Sequence, residues 1–430
     1  SRRWRVDTDE RRQHQRAARH DPGNVAKDTT DRTATLTAIR VMGRSVWGLR
    51  GKLPGLVIGL ALNLAAAAVA AQGASSEALR LEIEGLQVTG RLEQTGATVA
   101  SPRVLTDFYE RRRFEPAWDR PQQANELLAL IGASAADGFD PADYHEAAVA
   151  RAAETLAGEV ELSQAESAER DILLTDALIR LAYHQRFGKV NPYTIDPQWN
   201  FNRRFDAKDP VTILQQAIDA PSLQPYIEEL IPRGWFYRAM RDALARYRDI
   251  ADSGGWPQVP EGPTLRPGAT DTRVEAIARR LAVTGDLAEG VAPASPDTYG
   301  PDIEEAVRRF QARHGLDEDG IVGAGTLREM NVPARRRVQQ LEVNLERARW
   351  VLDDLSERFV LVNIAGFRVY VVANQEVVWQ SRAQVGRTFR KSPVFRDDIR
   401  YLVFNPTWTV PYSIATRDLL PQIQSDQEFF

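Results

Sequence analysis

Few residues in this sequence are equipped for covalent chemistry. The 430 residues contain no cysteine, which excludes disulfides, thiolate zinc sites and a cysteine nucleophile anywhere within them. The five histidines are His14, His20, His145, His184 and His314, and none pairs with another at metal-ligand spacing. No Ser-x-x-Lys and no Gly-x-Ser-x-Gly offers a serine alternative. "DEDG" (317–320) invites a calcium reading, but the twelfth position from Asp317 is Arg328, not the bidentate Glu such a loop needs. A turn with solvated carboxylates fits it better. With 59 Asp and Glu, no single carboxylate pair stands out as an acid–base couple. What remains is "NPTWTVPYSIATRDLLPQIQSDQEFF" (405–430), stiffened by Pro406, Pro411 and Pro421. An aromatic beside prolines is a suggestive marker of a cleft.

The elements that must position this stretch fall into blocks. At 43% apolar and 27% charged, the chain is long enough for two or three domains with their own cores. Its net charge of −4 gives no general basic character, so nucleic acid is not an expected partner. Residues 1–41 are rich in Arg and Asp, lack apolar periodicity and read as a non-structural upstream segment. From Met42, a positive stretch (Arg44, Arg50, Lys52), an apolar run (Leu53–Ala67) and small residues at 68–70 have the layout of a secretory signal. The rival is a membrane anchor, which would associate residues 53–71 with the inner membrane. We expect 42–72 to be one or the other, and the protein to be exported.

Residues 77–253 read as a helical scaffold. "VLTDFYERRRFEPAWD" (104–119) puts Leu105, Phe108 and Tyr109 on one helix face, with Pro116 as its stop. "DILLTDALIRLAYHQRFGKV" (171–190) buries Ile172, Leu173, Ala177 and Leu181, with His184 as a structural histidine and Gly188 as C-cap. "GGWPQVPEGPTLRPG" (254–268) marks a boundary. Beyond it, 269–333 reads as a compact helical unit, with Ile303, Ala306, Val307 and Phe310 at helix spacing and a turn at Asp319-Gly320. A connector helix follows over 334–357, lined by Val338, Leu341, Leu345 and Leu352. At Arg358 the period changes. "RFVLVNIAGFRVYVVANQEVVWQSR" alternates between turn signals at Ala365-Gly366 and Asn374-Gln375, and "IRYLVFNPTW" (399–408) reads as a further strand. The fold class is thus multidomain α+β: a mainly helical scaffold, a three-helix module and the N-terminal part of a β-rich domain.

Two of these blocks resemble known families. "AVRRFQARHGLDEDGIVGAGTL" (306–327) is similar to the three-helix peptidoglycan-binding module, through Phe310-Gln311, His314-Gly315-Leu316, Asp319-Gly320, Gly323 and Thr326-Leu327. Phe310, Leu316 and Leu327 are expected in its core. The last segment resembles the YkuD-type L,D-transpeptidases of bacterial cell walls, through "NLERARW" (344–350), "VNIAGFRVYV" (362–371), "VGR" (385–387), "KSPVF" (391–395) and "FNPTWTVPYSIA" (404–415). Ser392 stands where that family usually has Thr. "FYERRRFEPAW", "GFDPADYH" (138–145) and "LLTDALIRLAYHQRFGKVNP" extend the resemblance to the long, multidomain periplasmic members.

The resemblance implies a peptidoglycan transferase whose partners are stem peptides and glycan, and which needs neither metal nor organic cofactor. A histidine-activated cysteine would attack the bond after diaminopimelate, release the terminal D-Ala and pass the acyl group to an acceptor amine. The family's His strand and Ser-x-Gly-Cys-x-Arg element lie well after the "NPxWxVP" motif, and neither is among these residues. No catalytic residue is therefore assigned, and the chain is expected to be an inactive, C-terminally truncated fragment. Asn405, Trp408, Tyr412 and Ser413 stand where the family's strand-to-loop crossing shapes the substrate cleft. The competing account has Trp408 packed in a core and Asn405 satisfying a turn. The alternative function is a non-enzymatic wall-binding protein.

Overall fold

The computed structural model describes residues 55–158, 161–195, 199, 209–288, 295–351, 355–387 and 391–425, with side chains from residue 71 onward. The expected upstream segment 1–41 lies outside the described residues, as does the basic start of 42–72. Helix α1 (Gly55–Thr89) runs without a break past residue 72. Among the described residues no helix is long and apolar enough to cross a membrane. Residues 56–396 form one contact unit, and residues 397–430 fall in a second.

The scaffold is helical because its apolar residues recur at helix spacing and its breakers stand at the ends. Helices α2 (Pro102–Arg111), α3 (Pro121–Ala133), α4 (Glu146–Leu156), α5 (Gln164–Phe187), α6 (Pro192–Ile195), α7 (Pro210–Asp219), α8 (Gln224–Leu230) and α9 (Trp235–Asp252) follow in order. Proline at the first turn of α2, α3 and α7 has a preset φ and gives up an N–H that would be orphaned there anyway. α2 stops at Arg111, short of the expected Pro116, because Arg113 and Phe114 take left-handed φ of 56° and 60°. Leu105, Phe108 and Tyr109 are buried on its inner face as expected.

α5 is the axis of the scaffold. Ser163 and Glu166 close a reciprocal capping box at its start, and Gly188 at φ 77° ends it. Ile172, Leu173, Leu174, Ala177, Leu178 and Leu181 are all buried, the larger ones contributing roughly 1.5–3 kcal/mol each. Its buried polar residues face the 94–118 segment instead. The Glu169 carboxylate accepts the Gln94 and Thr95 amides. Asp171 accepts the Ala117 and Trp118 amides and the Tyr109 hydroxyl, and Thr175 accepts the Trp118 indole N–H. Asp176 accepts the Ala100 amide and pairs with Arg180 and His145. Burial raises the Asp171 pKa above the usual carboxylate range, against those hydrogen bonds.

The module comprises α10 (Val274–Val283), α11 (Pro301–Arg313) and α12 (Ala324–Met330) around Ile277, Leu281, Ile303, Val307, Phe310 and Met330. The 254–268 stretch is more than a spacer. Val259 and Leu265 enter the module core, and Leu265 bridges Val322. α13 (Ala334–Val351) then crosses back to pack on α9, burying Leu345 and Ala348 against Tyr237 and Leu244; Leu352 lies outside the described residues.

Strands β1 (Arg358–Asn363), β2 (Arg368–Ala373) and β3 (Glu376–Arg382) form an antiparallel meander in the order β1-β2-β3. Asn374 and Gln375, at φ 51° and 68°, make the two-residue turn between β2 and β3, the conformation that matches the strand twist. A bulge opposite Val371 and Val372 shifts the β2–β3 register.

Candidate functional site

The expected strand at 399–408 is absent: this stretch is extended coil with a bend at Phe404-Asn405. A strand needs a ladder partner for its N–H and C=O groups, and none is paired to it among the described residues. Ile399, Tyr401, Leu402, Val403 and Phe404 are all exposed. Asn405 sits at φ 50°, a left-handed position that its short amide side chain tolerates, so it does serve a turn. Trp408 is 66% exposed and Tyr412 74%, so neither packs in a core. Pro411, extended at φ −56° and ψ 142°, leads into a helical turn (Tyr412–Ile414), a wider π turn (Ala415–Leu419) and a last short helix (Leu420–Ser425). Ser413 lies on the first of these turns and is exposed. The four expected site residues are thus gathered on one nine-residue stretch, solvent-facing, with a stacking surface at Trp408 and Tyr412.

The sheet that precedes this stretch is thinly packed. Register places Val360, Val371 and Trp379 on one face and Phe359, Val372 and Val377 on the other. Val372 is fully buried, whereas Val360, Val362, Val378 and Trp379 are about half exposed. Ser392 accepts the Gly386 amide at 2.8 Å, so the hydroxyl that replaces the family's Thr ties "VGR" to "KSPVF".

In the module, the quoted motif residues serve the fold. The Gln311 side chain is buried, accepts the Gly320 amide at 2.9 Å and donates to Asp319, the Ile321 carbonyl and Thr326. Asp319 also accepts the Ile321 amide, so the acidic turn is a hydrogen-bonded one. His314 stacks on Phe310 at 3.9 Å, and burial pushes its pKa down to about 4. Phe310 is fully buried, with Leu316 and Leu327 packed on the same core. Among the described residues no cluster of His, Cys, Asp or Glu could hold a metal ion.

The arrangement that sequence reasoning missed is the clasp between α13 and the scaffold. The Arg349 guanidinium lies over Phe139 at 4.1 Å and Tyr237 at 5.3 Å, and donates to the Asp137 carbonyl at 2.6 Å. Asp137 in turn accepts the Tyr237 hydroxyl and pairs with Arg241. Glu346 accepts the Val190 amide at 2.8 Å and the Trp350 indole N–H at 3.1 Å. Gly138 and Gly188, at φ 81° and 77°, let α13 approach: a Cβ on Gly188 would lie 2.3 Å from the Glu346 carboxylate, one on Gly138 3.3 Å from the Glu342 backbone. "GFDPADYH", "FGKV" and "NLERARW", far apart in sequence, thus converge on one joint. The signal available beforehand was a glycine following each of two scaffold elements, at Gly138 and Gly188.

His184 belongs to the same region. It is half-buried, within 3.2 Å of the Tyr144 hydroxyl and packed edge-on against that ring, and burial pushes its pKa down to about 4.

Comparison with known proteins follows the same three blocks. Residues 103–244 match the family model described as "Scaffold domain", residues 270–330 that described as "Putative peptidoglycan binding domain", and residues 357–429 the YkuD "L,D-transpeptidase catalytic domain". Among curated proteins the chain is similar to a "Putative L,D-transpeptidase" of Haemophilus influenzae, 28% identical over 104 residues. That stretch covers 24% of this chain and 20% of the relative, about a fifth of its length. The resemblance read from the motifs is therefore borne out in all three blocks.

Proposed function

We propose that this chain is the scaffold, wall-binding and leading catalytic part of a periplasmic peptidoglycan L,D-transpeptidase. The observation that carries the reading is the ordered series of scaffold, peptidoglycan-binding and L,D-transpeptidase matches along one chain. On this reading the enzyme works through a cysteine acyl-enzyme. The thiolate adds to the carbonyl after diaminopimelate, D-Ala leaves with a proton on its nitrogen, and an acceptor amine takes the acyl group and regenerates the thiol. No cysteine occurs in residues 1–430, so on this reading these residues by themselves supply no nucleophile and do no transfer. Their part is to hold the wall and to shape one side of the cleft. Asn405 sets the bend, Trp408 and Tyr412 offer stacking faces, and Ser413 offers a hydroxyl for a stem-peptide amide. Residues 42–72 supply export and, if retained, an inner-membrane tether.

The absence of cysteine also favours a second reading, a wall-binding protein without enzymatic activity. A sacculus experiment tests what the two share, and an extension of the chain separates them. Purified protein of this sequence is incubated with isolated sacculi, and both cosedimentation and released D-Ala are measured. We expect binding without release. Release of D-Ala by the cysteine-free chain would overturn the cysteine mechanism, and failure to cosediment would overturn the wall reading. Extending the chain with a segment that carries the His strand and Ser-x-Gly-Cys-x-Arg element should restore D-Ala release. A wall-binding protein would stay inert.

A further inference from the structure

A cleft of about 920 Å³ opens where the scaffold meets the start of the sheet, a size and a domain-junction position typical of ligand pockets. Its floor is aliphatic, with Leu178 from α5, Ile213 from α7 and Ile227 from α8. One wall is aromatic: Trp235 and Phe236 stack at 3.6 Å, and Phe359 of β1 stands 6.4 Å from Phe236. The Trp235 Nε1 is closed off from water and has no hydrogen-bond acceptor among the described residues. Charges of both signs line the opening, Arg186 and Arg233 together with Glu229 and Glu357. Glu229, Arg233 and Glu357 are exposed, and none of them forms an ion pair among the described residues.

A greasy floor beneath uncommitted charges of both signs suits a short zwitterionic peptide with small apolar side chains. A uniform polyanion would meet the two carboxylates, and a neutral glycan would leave Glu229, Arg233 and Glu357 unanswered. We propose that this cleft is a second, non-catalytic seat for peptidoglycan, and that it takes one stem peptide. A peptide carboxylate faces Arg233, the free amine faces Glu229 and Glu357, and the alanine methyls lie on the aliphatic floor. This inference rests on the wall reading above. It places a strand of the wall beside β1 and the β2–β3 turn, since Phe359 and Gln375 both line the cleft.

The test uses the full chain and three probes: isolated sacculi, a free tetrapeptide ending in diaminopimelate-D-Ala, and the glycan disaccharide without peptide. Arg233→Glu and Glu229→Lys reverse exposed rim charges without touching a core. Calorimetry should show the tetrapeptide binding one to one and the disaccharide not binding. Each charge reversal should weaken the tetrapeptide at least about tenfold, the loss of one charge-assisted contact. Sacculus cosedimentation by the variants should remain. A wild-type chain that holds sacculi but ignores the tetrapeptide, as expected if an apolar protein segment fills the cleft, overturns this proposal and leaves the wall reading intact. So do variants that bind the tetrapeptide within twofold of wild type. A chain that binds neither sacculi nor tetrapeptide overturns both.

Discussion

Replacing Gly188 by alanine tests the clasp between α13 and the scaffold most directly. Gly188 sits at φ 77° and ψ 169°, a region open almost only to glycine, and forcing a side chain there costs about 1–3 kcal/mol. The added Cβ would also lie 2.3 Å from Glu346 Oε1 and 2.8 Å from Oε2, so the carboxylate must move. Moving it breaks the bonds to the Val190 amide and the Trp350 indole, at the lower end of the charged range, about 1.5 kcal/mol in all because the site is partly wet. The sum is about 2.5–4.5 kcal/mol for G188A. Glu346→Ala removes the obstacle and should itself cost only about 1–2 kcal/mol. In that background Gly188→Ala should fall to its backbone strain alone, leaving a coupling of about 1.5 kcal/mol. Urea unfolding of the full chain, with both single variants and the double variant, measures all three quantities. Equal costs of Gly188→Ala in the two backgrounds, or a loss below about 1 kcal/mol in the wild type, would refute the argument.

Arg280 is buried between Trp256, 3.8 Å from its ring, and Phe310, and donates to the Met330 carbonyl and Thr284, while burial lowers its pKa to about 10. Arg280→Ala should destabilise the module by about 3–5 kcal/mol, and Arg280→Lys should recover less than half, since an ammonium cannot stack or fork; thermal unfolding of the full chain reads both. His184 and His314, each held neutral by burial with a pKa of about 4, make stability depend on pH. It should be full above the ordinary histidine pKa near 6.5, fall as the pH drops from there towards 4 and then level off, by about 2 kcal/mol per histidine after screening. Urea midpoints between pH 7.5 and 4 check this, and His184→Asn should flatten part of the slope. Limited proteolysis should cut within 359–430 well before the scaffold, because the exposed Val360, Val362, Trp379, Tyr401 and Phe404 show how little core that segment buries. Equal resistance of the two regions would count against this view.

Much of the helical architecture was legible because it follows from periodicity and punctuation. The buried faces of α2, α5 and α11 lie where Leu105, Ile172 and Phe310 predict them, and Gly188 ends α5. The early end of α2 was not legible, since left-handed backbone at Arg113 and Phe114 carries no residue-type signal. The 399–404 run has every local mark of a strand, yet a strand is a pairing, and propensity says nothing about whether a partner is present. At the candidate site the sequence left open whether Trp408 packs in a core, and its exposure was not legible because packing is decided by neighbours far along the chain. The cleft beside Phe359 was invisible for the same reason: its lining comes from several separate elements.

The buried polar residues of α5 set an order in time. Glu169, Asp171, Thr175 and Asp176 receive donors from residues 94–118, which precede them by 53 to 76 positions. Until α5 has been made, those amides have no partners from the chain. At about 5–20 residues per second of synthesis, the leading segment waits roughly 3–15 seconds before its partners emerge. A chain that leaves a ribosome or a membrane channel with its N-terminus first therefore presents α2 and its flanking turns unfinished. Binding sites for holding chaperones are expected there, and cargo handed over before residue 176 has emerged should be the form most readily captured.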